Sequence, residues 1–191
     1  KQQSYRKLLV APVTLRSGIE KLIKREINYA KNGLPARIIA KMNALVDPEI
    51  IKLLYIASQE GVKIELIIRG MCCLYPQKKG LSENIKVTSI IGRFLEHSRI
   101  CWFNNDGNAE VFIGSADWMR RNLDRRVEAV TPIEDNKIKK EIKHLLDSYL
   151  EANKDSWNMQ SDGTYTKNQI LNDKKKYIQE KIIKQYKKEE D

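Results

Sequence analysis

Nowhere in this chain do eighteen apolar residues run together, and the opening KQQSYRKLL has none of the apolar centre that a secretory leader carries. Neither a helical membrane span nor a signal peptide is indicated, and a soluble cytoplasmic protein is the expectation. Cysteine is scarce and odd in number. Cys72 and Cys73 are neighbours and Cys101 stands alone, so neither a disulfide framework nor a Cys-x-x-Cys metal pair can be assembled, and reduced, mostly buried thiols are expected. Histidine is rarer still, with His97 and His144 alone among 191 residues, and no cluster of carboxylates and histidines falls at metal-ligand spacing. No repeat of fixed period is visible. An initiator Met is also missing: the chain begins abruptly at Lys1, as expected of a piece cut from something longer or of a processed terminus.

Positive charge is what abounds. Thirty-five Lys and Arg against 25 Asp and Glu leave a formal +10, which draws polyanions such as phosphates, nucleic acid or acidic membrane without choosing among them. A hydrophobic content of 41% over this length suits one good core and one domain with an appendage. KLLVA (7–11) reads as a short buried strand ending at Pro12. Ser17 with Glu20 reads as a capping box, opening a helix with Ile19, Leu22, Ile23, Ile27 and Ala30 on one face and its stop at Asn32-Gly33. ARIIA (36–40) is a second strand. Asp47-Pro48 caps a helix whose inward face is Ile50, Ile51, Leu54 and Ala57, and VKIELII (62–68) is a third strand. Connections this short between strand, helix and strand imply parallel pairing, with ligands gathering beyond the carboxyl ends, at KMN (41–43) and RGMCC (69–73). NIKVTSI (84–90) returns as another strand. HSRICWF (97–103) and AEVFIGS (109–115) form a hairpin through Asp106-Gly107, and RVEAV (126–130) is a strand stopped by Pro132. A long amphipathic helix starts at Asp135. Residues 154–168 read as a polar linker, and 173–188 as a lysine-rich helix.

His144 falls on the side of its helix opposite Ile142 and Leu145 and reads as a solvated histidine. His97 differs, because it opens the hairpin whose returning strand delivers Gly114-Ser115-Ala116-Asp117 to the same end of the sheet. Arg69 sits at a strand's carboxyl end, Arg93 and Arg99 flank the histidine, and Arg120, Arg121, Arg125 and Arg126 follow the hairpin. Guanidinium forks grip phosphate oxygens bidentately, so such a collection around an imidazole suits phosphoryl transfer. The plainer alternative is a structural His97 satisfied by a backbone carbonyl or by Glu96, with part of the arginine set paired to Glu96, Asp117, Asp124 and Glu128.

The order His-x-basic, turn, Gly-Ser-x-(Asn/Asp) is similar to half of the phospholipase D superfamily site, His-x-Lys with Gly-Ser-x-Asn. Arg99 replaces the lysine, Asp117 replaces the asparagine, and the spacing is longer, departures that argue against a hydrolytic phosphodiesterase. A longer series of motifs, PARIIAKMNALVDPEII, GVKIELIIRGMCCL, GLSENIKV, GRFLEHSRI, IGSADWMRRNLDRRVE and TPI, resembles the second phospholipase D-like (C2) domain of type 1 polyphosphate kinase over about residues 5–150. That resemblance implies an α/β fold with a mixed, largely parallel sheet flanked by helices over residues 1–153, leaving 154–191 as linker and basic C-terminal helix. It implies an enzyme that reversibly moves the terminal phosphate of ATP to inorganic polyphosphate with Mg2+. ATP or ADP, polyphosphate, the upstream domains of the same enzyme and a homo-oligomer of the full-length chain are the implied partners. By direct motif match, Arg69 in LIIRG corresponds to the arginine on the nucleotide's phosphates and His97 in LEHSR to the second-domain histidine of the same site. The phosphorylated histidine of the family belongs to the upstream domain, so this piece alone is expected to be inactive. Two other readings stand beside it: a half-site phosphodiesterase that pairs two His97 residues, and a non-enzymatic polyanion-binding module built on the lysine-rich helix. With only Tyr177 and Tyr186 there for stacking, specific nucleic-acid binding is not expected.

Overall fold

The computed structural model describes residues 5–151, 154–168 and 177–187. In chain order the elements are β1 (Leu9–Ala11), α1 (Leu15–Lys31), β2 (Arg37–Met42), α2 (Pro48–Gln59), β3 (Lys63–Ile68), β4 (Ile85–Ile90), β5 (Arg99–Phe103), β6 (Glu110–Gly114), α3 (Arg120–Asp124), β7 (Glu128–Ile133), α4 (Asn136–Leu150), β8 (Ser156–Met159), β9 (Tyr165–Lys167) and α5 (Ile178–Lys187). The strands form a nine-stranded sheet in the order β1-β7-β6-β5-β2-β3-β4-β8-β9.

Period-two alternation along β2 explains how this sheet is covered on both faces. Ile38, Ala40 and Met42 join one cluster with Ile64, Leu66 and Phe103 of the sheet, Ile19 and Ile23 of α1, and Ile50 and Leu54 of α2. Ile39 points the other way, into a second cluster with Ile67, Ile100, Trp102, Leu146 and Tyr149 of α4 and Ile178 of α5. Each aliphatic side chain withdrawn from water in this way contributes about 1.5–3 kcal/mol, so the two clusters fix which face each helix takes. Lys41 shares its parity with Ile39 and is carried into the α4 side at 2% exposure.

The mixed sheet agrees with the sequence reading, but its parallel part is small. Only β2·β3 and β3·β4 are parallel. The other six pairings are antiparallel, because β5 runs against β2, β6 returns on β5 by a hairpin and β7 on β6 after α3, while β1 closes that side and β8 and β9 extend the other. That extension corrects the linker reading of 154–168. The stretch is a hairpin, polar because it sits at the sheet's edge, and Trp157 faces Ser89 in the ladder. The lysine-rich helix is described over Ile178–Lys187, and residues 173–176 and 188 of its expected span lie outside the described residues. Helix α1 begins before Ser17. Its N-cap is Thr14, whose hydroxyl accepts from the Val10 N–H at 2.9 Å, and the Ser17 hydroxyl donates back to the Thr14 carbonyl, so there is no capping box. Strand β7 runs through Pro132 rather than stopping there. Strand β1 pairs only with Glu128–Val130, so at Pro132 β7 has a partner on one side and tolerates the missing N–H.

Asp47 caps α2 as the sequence indicates, its carboxylate accepting from the Ile50 N–H at 3.0 Å. The same carboxylate is gripped by Arg16 of α1, which donates at 3.0 and 2.6 Å and reaches Asp124 at the end of α3 at 2.6 and 2.7 Å. One guanidinium thereby ties three helices. Burial pushes the Asp47 carboxyl up, but the Arg16 fork and the Ile50 amide outweigh it and leave it below its ordinary value; Arg16 lowers Asp124 as well. Depressed carboxyls stabilise the fold above their unfolded values near pH 4, and that stabilisation is lost as pH falls further. Arg16→Ala is expected to cost about 3 kcal/mol, by leaving Asp47 charged, buried and unpaired. Urea denaturation from pH 7 down to pH 3 checks this: the wild type loses stability on the acid side, and the variant starts lower and loses less.

Candidate active site

Parallel β2 and β3 end at the edge of the sheet where antiparallel β5 begins and β6 finishes. Four loops therefore meet at one mouth, carrying Asn43, Arg69, His97 with Arg99, and Ser115 with Asp117. Gly70 permits the tight approach of the first two: its N–H donates to the Asn43 carbonyl at 2.8 Å, and a Cβ there would stand 2.9 Å from that oxygen.

Asp117 organises the mouth. Its Oδ1 accepts from the Asn43 N–H at 2.7 Å and the Ala44 N–H at 3.4 Å, and its Oδ2 from the Asn43 side-chain amide at 3.2 Å. Arg99 approaches the same carboxylate as a fork, through Nε at 3.3 Å and Nη2 at 3.2 Å, while its Nη1 donates to the His97 carbonyl at 2.9 Å. Asn43, oriented by Asp117, accepts through Oδ1 from Arg69 Nε at 2.9 Å. Arg69 then reaches His97, with Nη2 3.3 Å from Nδ1. The two residues singled out from the sequence are thus in contact.

This contact assigns the tautomer of His97. Arginine always donates, so Nδ1 accepts and the proton of the neutral ring resides on Nε2, available as a donor at the exposed mouth. Among the described residues Arg69 has no carboxylate partner, whereas Arg99 is neutralised by Asp117. Of the two arginines, Arg69 is the one whose charge is left for an incoming anion.

The loop of residues 91–98 is held from behind by a second network. Glu96, 11% exposed at its side chain, faces Lys41 Nζ at 3.1 Å and accepts from the Tyr149 hydroxyl at 2.8 Å and Gln179 Nε2 at 2.8 Å. Lys41 also donates to the Ser98 hydroxyl at 2.8 Å and lies 5.2 Å from the centre of the Tyr149 ring. Burial pushes the Glu96 carboxyl up, and Gln179, Lys41 and Tyr149 together more than offset it, so the group stays an anion at neutral pH. Burial lowers Lys41, and Glu96 opposes that shift.

The remaining candidates divide. Arg93 stands over the Phe94 ring, its guanidinium carbon 5.2 Å from the ring centre. Arg120, Arg121, Arg125 and Arg126 are exposed around α3, and the expected pairing of this group is slight, with Arg126 reaching Glu128 only at 4.0 Å. Asp124 is taken by Arg16 and Glu96 by Lys41, neither of which was among the expected partners. Ser115 of the Gly-Ser-x-Asp stretch donates to Glu128, which also accepts from Asn122 at 2.6 Å. His144 is exposed on α4, as its helical position indicates. Cys101 is buried, its thiol pushed up to about 12 by burial, while Cys73 is exposed. Lys41 and Asn43 were legible only as a stretch beyond a strand, and nothing in the sequence marks Gln179.

A mixed sheet with its charged mouth at the meeting of these strand ends defines the class as a phospholipase D-like α/β domain. A phospholipase D family member, Nuc from Salmonella typhimurium, shares the fold with a TM-score of 0.59 over 81% of this chain, at 14% identity. The chain belongs to the family of the polyphosphate kinase C-terminal domain 2, which matches residues 8–179 and so extends through β8 and β9 into α5. It is 68% identical over 169 residues to a polyphosphate kinase of Prochlorococcus marinus (strain MIT 9313), spanning 88% of this chain and 24% of that protein. The crystal structure of the polyphosphate kinase from Porphyromonas gingivalis superimposes with a TM-score of 0.93 at 40% identity, over 98% of this chain and 29% of the other. The chain spans about a quarter of the length of the curated relatives it matches.

Asp117→Ala is expected to destabilise the domain by about 2–4 kcal/mol, because it strands two backbone N–H groups and an arginine. His97→Ala, at the exposed rim, is expected to cost under about 1 kcal/mol. Urea denaturation of both variants separates the organising residue from the presented one.

Proposed function

We propose that this domain supplies the phosphate-gripping half of a polyphosphate kinase site, within an enzyme that reversibly transfers the terminal phosphate of ATP to inorganic polyphosphate. The supporting observation is the Arg69–His97 contact at 3.3 Å, at an exposed mouth where Arg69 has no carboxylate partner among the described residues. Family membership and the similarity to named polyphosphate kinases supply the reaction class.

Each residue has a distinct part. The guanidinium of Arg69 presents two parallel donors to non-bridging oxygens, neutralising charge that builds on the transferring group. Asn43 fixes its rotation from the Nε side, so the fork is aimed before the anion arrives. His97 offers Nε2–H to the same group as a hydrogen-bond donor. The histidine that becomes phosphorylated belongs, on this reading, to an upstream domain facing the mouth. That domain provides the nucleophile, and the full-length chain assembles as a homo-oligomer in the cytoplasm. Among the described residues no helix is long and apolar enough to cross a membrane.

The side chains at the mouth do not make a cage for a divalent cation. Among the described residues no group of three His, Cys, Asp or Glu side chains is poised for one, and Asp117 is already engaged by two backbone amides and Arg99. By the family resemblance, magnesium would ride on the phosphates of the nucleotide, a position that suits its oxygen-rich coordination.

In the full-length enzyme, Arg69→Ala and His97→Ala are each expected to lower kcat for polyphosphate synthesis by about 100-fold or more, without loss of folding. Arg69→Lys is expected to restore only a small part, since an ammonium lacks the fork. Steady-state assays with ATP and polyphosphate check this, and wild-type rates in either alanine variant overturn the assignment. Residues 1–191 alone are expected to make no polyphosphate from ATP.

A further inference from the structure

Gln179 lies on α5, 82 positions from His97, yet it is only 6% exposed and the hydrogen bonds of its side-chain amide face the loop that carries the histidine. Its Oε1 accepts from the Phe94 N–H at 2.8 Å, and its Nε2 donates to the Phe94 carbonyl at 2.8 Å and to Glu96 Oε1 at 2.8 Å. Both donors and the acceptor of one amide are thus satisfied, and flipping the amide breaks all of these contacts at once. Gly92 makes room for it. A Cβ at that position would stand 2.6 Å from Gln179 Oε1 and 3.3 Å from the Asp155 carboxyl carbon, although Gly92 has no positive φ that calls for glycine.

We propose that Gln179 is a positioning residue for His97, which makes α5 a structural part of the active-site loop rather than an appended basic tail. The amide acts through two connections. It pins the backbone at Phe94, and it completes the set of donors around Glu96, whose other partners, Lys41 and Tyr149, come from β2 and α4. Glu96 immediately precedes His97, so the carboxylate sets where the imidazole emerges. Helix α5 is itself seated by apolar contact, with Ile178 2% exposed in the cluster formed by Leu146 and Tyr149 of α4 and Ile182 packed against it. The seat of α5 and the placement of the histidine are therefore mechanically joined. No charge is added to the mouth by this arrangement. Its effect is to reduce the number of loop conformations that an incoming phosphate has to select against.

The role as positioning residue rests on the function proposed above, and the test separates the two. Gln179→Ala and Gly92→Ala break the contact from opposite sides, and Lys184→Ala, exposed on the same helix, serves as control. In the full-length protein, amide hydrogen exchange at Phe94–Ser98 is expected to quicken by about tenfold in both variants, while exchange in β2 and β3 and in the control stays as in wild type. The imidazole nitrogen signals of His97 are expected to shift in the same two variants, as its contact with Arg69 loosens. In the polyphosphate assay kcat is expected to fall about tenfold, with a smaller change in KM, because ordering of the loop matters most when the group is in flight. Unaltered exchange and imidazole signals in both variants overturn the proposal, as does an unaltered kcat in a variant whose loop has loosened. If the wild-type protein makes no polyphosphate, the functional reading fails, and exchange with imidazole signals still decides whether Gln179 places His97.

Discussion

The carboxylate of Asp117 is the point on which the mouth of this sheet turns. Four loops meet there; one carries the carboxylate, and the other three bring positive charge or backbone amides that need an acceptor. A single anion accepting from the Asn43 and Ala44 amides and the Arg99 fork meets that need. The rest follows in order. Asn43 is held in one orientation, its amide oxygen orients Arg69, and Arg69 meets His97. Because each link is directional, the donors are aimed before a charged group arrives, which is what a preorganised site needs.

The same anion sorts the arginines. A sequence view counts guanidiniums and finds many near the histidine, but charge at a phosphate site is useful only where it is uncompensated. Arg99 is spent on Asp117 and on the His97 carbonyl, so its task is to shape the loop. Arg69 is held by the Asn43 amide oxygen and the His97 ring and meets no carboxylate among the described residues, so its charge is left uncompensated. The departures from the phospholipase D pattern, arginine in place of lysine and aspartate in place of asparagine, make sense as a pair. An added anion at 117 is balanced by a cation at 99 that can fork onto it, and a lysine there would offer a point charge without the second bond.

Much of the first half of the fold was legible because its signals are local. The Asp47-Pro48 cap, the apolar runs of β2 and β3 and the glycine stops between them each act within a few residues, and the Asp106-Gly107 turn does the same for β5 and β6. Positive φ at Asn105, Asp106 and Gly107 is the backbone form that those residues accept. What escaped was decided over distance. Strands β8 and β9 look like a linker because an edge hairpin can afford polar side chains on its outer side, and only its pairing with β4 shows it to be sheet. The capping box at Ser17 is a sound local signal overridden by Thr14, which is drawn to Val10 at the end of β1. The partners of Glu96 come from β2, α4 and α5, and no spacing rule reaches that far.

Lys41, Met42 and Asn43 show how one strand end serves two networks. Strand geometry sends consecutive side chains to opposite faces. Met42 enters the cluster beneath α1 and α2 and anchors the strand. Lys41 goes to the other face, where its ammonium meets Glu96 and Ser98 in the loop that bears the histidine. Asn43, one step past the last ladder position, stays at the edge between Asp117 and Arg69. A buried ion pair such as Lys41 with Glu96 adds little net stability, since desolvation consumes most of the attraction, but it penalises every loop position in which either charge is left alone. Its value is therefore in selection. His97 is constrained from the front by Arg69 and from behind through Glu96, and both constraints trace to Asn43 and Lys41 at one end of β2.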